Sequence, residues 1–177
     1  MIDYDSRFGL PRPPTSIQPW EHDVAPVSKV LLDVDSGKAL KDYGQVASSA
    51  LFRAAAKCFL FIWAMDIYGA VHVAFEEVLP PETSSGPPLL CGHPRRRRFP
   101  AHPAAEKKLG HPTLVSCGNA RIAGELFLDE CDRKLMWYIN VASGRYCRDM
   151  QPTPDQCEAV RHYFETMIDE TVILDEI

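Results

Sequence analysis

His111, Arg121, Glu125, Ser143, Gly144, Arg145 and Tyr146 crowd an imidazole, a carboxylate, a hydroxyl, two guanidinium groups and a phenol into one part of the chain. In Ser143-Gly144-Arg145-Tyr146, the Ser-Gly pair is expected to make a tight turn after a strand. Glycine there is free to take positive φ, and backbone N–H groups are free to face a ligand. Arg145 has the fork to grip a phosphate or carboxylate, and Tyr146 offers a stacking face. The plainer role for the same four residues is a strand-ending turn with Tyr146 plugging the core. His111 precedes Pro112, which restricts it to extended geometry and so sets its direction. Arg121 and Glu125 share one face of an alternating strand, as a solvated ion pair or as two walls of a polar pocket. His72 and Glu76 share a face in the same way, but no spacing among these groups demands a metal, and none is expected.

The elements that must hold these groups are legible in outline. Phe59 to Met65 is a nearly continuous apolar run suited to a buried strand, and Asp66-Ile67-Tyr68-Gly69 turns it back into Val71–Glu76. A second hairpin pairs Arg121–Leu128 with Leu135–Asn140 across an acidic turn from Asp129 to Lys134. The closing helix is announced by Thr153 as cap, Pro154 in the first position and Gln156 completing the capping box. Its apolar stripe is Val160, Tyr163, Phe164, Met167 and Ile168. An earlier helix is expected where Asp42 and Gln45 make a capping box before Val46, Ala50, Leu51 and Ala54, after a short strand over Val30–Asp35. The fold class is α+β: an antiparallel sheet of four or more strands, in two hairpins, with two flanking helices. Residues 1–28 form a proline-rich arm ahead of a single domain at 29–177, and residues 80–108 form a long loop rich in proline and arginine.

Composition narrows the function classes. The chain has 177 residues, and the net charge of -5 argues against nucleic acid as the partner, with Arg95–Arg98 as the local exception. No apolar run is long enough for a membrane span. The start, Met-Ile-Asp-Tyr-Asp, has neither the basic nor the apolar region of a signal peptide, so a cytoplasmic location, or secretion without a cleaved signal, is expected. The six cysteines lack paired C-x-x-C spacing and read as free thiols.

From Leu109 to about Glu165 the chain resembles the C-terminal part of plant IQ-motif calmodulin-binding proteins and related bacterial toxin-like domains. The resemblance is carried by His111-Pro112-Thr113-Leu114, Ala123-Gly124-Glu125-Leu126, Ile139 to Tyr146, and the helix after Thr153. Arg145 stands where a histidine is usual and there is no IQ motif, so calmodulin binding does not carry over. The scatter of His111, Ser143 and Tyr146 is also similar to the NAD-binding residues of ADP-ribosyltransferases. That likeness implies that His111 holds the ribose, Tyr146 stacks on the nicotinamide and Glu125 is the catalytic carboxylate. In those enzymes, however, the glutamate comes last, and here Glu125 precedes Tyr146. Two readings follow. One is a bacterial secreted effector or toxin-type domain with a cleft for a nucleotide-like ligand, NAD as its substrate, edged by His111, Glu125, Ser143, Gly144, Arg145, Tyr146 and Arg121. The other is a non-catalytic immunity or adaptor protein that docks a protein partner through its acidic surface, including the tail from Asp169 to Ile177.

Overall fold

Apolar side chains on both faces force a strand to the centre of a sheet, and Phe61–Asp66 (β2) is that strand, buried from Phe61 through Met65. In this computed structural model, which describes residues 3–79, 93–94, 107–148 and 151–175, Asp66 then reverses the chain. Its carboxylate accepts the N–H groups of Tyr68 and Ala70, Gly69 takes a φ of 87°, and Val71–Phe75 (β3) returns antiparallel. The second hairpin joins Ala120–Cys131 (β7) to Lys134–Ile139 (β8). Its turn is tighter than the acidic stretch suggested: only Asp132 and Arg133 lie between the strands, both with positive φ, as a two-residue hairpin turn demands. Antiparallel pairing of β2 with β7 unites the hairpins.

Two short strands extend this core. Val30–Leu31 (β1) lines the edge of β3, and Val172–Leu174 (β9) runs parallel to β8, giving the order β1-β3-β2-β7-β8-β9. The sheet is therefore mixed, not antiparallel as expected. The cause is the helix Pro154–Ile168 (α5), which carries the chain from β8 back to the same end of the sheet. A small second sheet places Glu77–Val78 (β4) between His93–Pro94 (β5) and Lys108–Leu109 (β6). Part of the expected 80–108 loop is thus strand; apart from Lys107 the remainder, with Arg95–Arg98, lies outside the described residues.

Five α-helices occur among the described residues, where two were expected: Tyr4–Phe8 (α1), Val34–Ala47 (α2), Arg53–Ala56 (α3), His111–Leu114 (α4) and α5. In α5 the capping box forms as read, and Val160, Phe164 and Ile168 are its buried stripe. Helix α2 begins well before Asp42. Asp33 caps it, accepting the Ser36 N–H at 2.9 Å while Ser36 answers the Asp33 N–H at 2.8 Å. Its buried face is Gly37, Leu40, Gly44 and Ala47, mostly small residues that admit close neighbours. A Cβ on Gly37 would lie 2.1 Å from the Met167 carbonyl oxygen of α5, and one on Gly44 would lie 2.9 Å from Trp137 Nε1.

The arm is tied down along its length. Phe8 of α1 is buried and meets Tyr163 of α5 edge-on, and Arg12 exchanges main-chain hydrogen bonds with Ala120. Two buried carboxylates do the rest. Glu21 accepts the N–H groups of Gln18 (2.6 Å) and Gly110 (3.0 Å) and pairs with Arg145, while Glu77 accepts Val27 N–H, Ser28 N–H and the Ser28 hydroxyl. Charges buried at this depth persist because every lone pair that matters has a donor.

Candidate functional site

The chain leaving β8 crosses directly over β7. Asn140 N–H donates to Glu125 O at 3.0 Å, and the Asn140 amide binds back to Glu125 at both its N–H and its carboxylate. The crossing is possible because residue 124 is glycine: a Cβ there would sit 1.9 Å from the Asn140 carbonyl oxygen. One helical turn follows. Ser143 Oγ accepts the N–H groups of Arg145 and Tyr146, both at 3.3 Å, and Ser143 O accepts that of Cys147 at 2.8 Å.

This turn divides the residues that the sequence grouped. Tyr146 is buried, and Arg145, partly exposed, lies against the arm. Arg145 binds the Ser16 carbonyl and Glu21; the Tyr146 hydroxyl donates to Gly118 O at 2.7 Å, and burial holds its pKa above the usual phenol value. His111 is buried in α4 with Nε2 at 2.9 Å from Gly124 O, and burial pulls its pKa down to about 4. With its pKa that far down the imidazole is neutral at physiological pH, and its contact with a carbonyl assigns the single ring proton to Nε2, which donates to Gly124 O. Arg121 spends its guanidinium on Ile67 O, Gly9 O and Asp5. Glu125 receives the Asn140 amide at 3.2 Å.

Ser143 and Gly144 alone among these residues line the open cleft on the other side of the turn. It encloses about 910 Å³ between the turn, the first turn of α5 and the end of β9, and Arg148, Asp155, Leu174 and Asp175 also border it. Gly144 does not take the positive φ expected of it; among the described glycines that conformation belongs to Gly9 and Gly69. A Cβ at Gly144 would meet nothing within 4 Å, so the position is open to solvent. Cys147 and Cys157 border the cleft too, and burial raises both thiols above their ordinary pKa, away from the nucleophilic thiolate.

Asp155 of α5 escaped the sequence reading as a cleft residue, and Asp175 entered it only as part of an acidic tail. Thr153 and Pro154 signalled a helix N-terminus, and the run Thr171-Val172-Ile173-Leu174, rich in β-branched residues, carried the signal for the short strand that closes the opposite wall. Among the described residues no group of three His, Cys, Asp or Glu side chains is placed to hold a metal ion, and no helix is long and apolar enough to cross a membrane. No family model, curated protein or solved structure matches the chain.

Proposed function

We propose that this protein acts by binding, as a non-catalytic immunity- or adaptor-type protein that receives a protein partner in the cleft bordered by Ser143, Gly144, Asp155 and Asp175. One observation carries the reading. The imidazole of His111, the phenol of Tyr146 and the guanidinium groups of Arg121 and Arg145 all hydrogen-bond to main-chain carbonyls of the fold, whereas the cleft stands open beside them. A group that must move a proton or grip a phosphate needs its donors and acceptors aimed at the substrate.

The effector reading, with NAD as substrate, draws support from a different observation: the cleft has the volume of a small-molecule site, and Ser143 and Gly144 lie on its wall. The two readings separate in one experiment. The chain is expressed in the cytosol, beside Glu125→Gln, while growth and the intracellular NAD pool are followed. A photo-crosslinking amino acid is also placed at Gly144 and, as a control, at exposed Ser6. Binding predicts the same growth and NAD pool for both chains, with a discrete cross-linked species from position 144 and none from position 6. Growth arrest with NAD loss, relieved by Glu125→Gln, would overturn it in favour of the enzyme.

A further inference from the structure

The free edge of β9 ends in the cleft, and the pairing of β9 with β8 decides which of its groups are left over. Ile139 pairs with Leu174, and Asp175 N–H donates to Ile139 O at 2.8 Å. In a parallel ladder both main-chain groups of a residue point to the same side, so Ile173 and Asp175 serve β8 while Val172 and Leu174 face outward. The outward groups of Val172 are covered by α5: its N–H donates to Glu165 Oε1 at 3.2 Å, and its carbonyl accepts Arg161 Nη1 at 3.4 Å. Leu174 has no such cover. Its N–H and C=O have no partner among the described residues, and it lies on the cleft wall. An uncovered sheet edge is a template for another strand.

The charge around this edge selects the strand. Asp155, Glu158 and Asp175 border the cleft against one cation, Arg148. Glu158 is occupied by Arg161, but Asp155 and Asp175 have no ion-pair or side-chain hydrogen-bond partner among the described residues. Resting on the binding function proposed above, we infer that the partner presents an extended, lysine- or arginine-bearing segment. This segment pairs its main chain with Leu174 at the edge of β9 and sets its basic side chains against Asp155 and Asp175.

The test measures fluorescence anisotropy of the full chain with three labelled hexapeptides. They are an alternating lysine–valine peptide, its analogue N-methylated at every backbone amide, and an alternating glutamate–valine peptide. The lysine–valine peptide is expected to bind at roughly 50 mM salt and more weakly at roughly 150 mM. The N-methylated peptide, which keeps the charge but cannot donate to a sheet edge, and the acidic peptide are each expected to bind about tenfold or more weakly. The double substitution Asp155→Asn, Asp175→Asn is expected to lower affinity for the lysine–valine peptide about tenfold while the chain stays folded, its thermal midpoint falling only by the small loss of a carboxylate from the first turn of α5. Equal binding of the N-methylated or acidic peptide, equal binding by the double variant, or full competition by spermidine at matched charge would overturn the inference. If no peptide binds while position 144 still cross-links a discrete partner, basic-strand docking fails and the binding function stands. If the cross-link is also absent, both fail.

Discussion

Acidification should strike this fold through His111. The ring is buried against Gly124, and its pKa lies near 4 in the folded chain against an ordinary 6.5, chiefly through burial. Between those two values the unfolded chain binds the proton and the folded chain does not. The contribution is therefore complete above pH 6.5 and is lost as the pH falls toward 4. Integrating that difference from about pH 7.5 to about pH 5 gives a loss of roughly 2 kcal/mol from this one group. Urea denaturation followed by tryptophan fluorescence at the two pH values measures it, with His111→Gln as the comparison because glutamine keeps an N–H donor without titrating. Every group other than residue 111 is common to both chains, so the quantity of interest is the difference between the two pH-induced losses. Wild type should lose about 2 kcal/mol more than the variant. Equal losses would mean that His111 titrates as in water, and the buried neutral imidazole donating to Gly124 would be refuted.

Other substitutions test the crossing, the turn and the cap. Gly124→Ala drives a methyl into the Asn140 carbonyl and should cost about 3 kcal/mol or prevent folding, whereas Gly144→Ala meets open space and should stay within about 0.5 kcal/mol in the same urea titration. Tyr146→Phe leaves the Gly118 carbonyl without its donor and should cost about 1–2 kcal/mol by denaturation while leaving the cross-link from position 144 intact. Thr153→Ala removes the side-chain acceptor of the Gln156 N–H, and a loss of about 1 kcal/mol is expected by thermal unfolding.

The hairpins and α5 were legible because each is announced by large side chains at a regular period: Phe61 to Met65 without interruption, Val160-Phe164-Ile168 at helical spacing. Helix α2 was misplaced for the opposite reason. Its core face is built from Gly37, Gly44 and Ala47, whose value lies in the neighbours they admit, and hydrophobic periodicity does not register an absence of side chain. The parallel strand β9 is three residues long and gains its place from α5, which delivers it, and from its ladder to β8. The chemistry was the least legible. His111, Arg121, Arg145 and Tyr146 are of residue types that serve substrates and backbone carbonyls alike, and sequence spacing does not distinguish the two. What decides is whether a carbonyl such as Gly124 O or Gly118 O is already within reach.

The tethering of the arm also orders events in time. Thr15 waits for the carbonyl of Arg145, Glu21 for the Arg145 guanidinium, 124 residues later, and Arg12 for Ala120. During synthesis that separation corresponds to a delay on the order of ten seconds. Through that interval the Glu21 carboxylate lacks its guanidinium partner and has only the N–H groups of Gln18 and, once made, Gly110 to close upon. These contacts of the arm can therefore close only once residues 120 and 145 have been made.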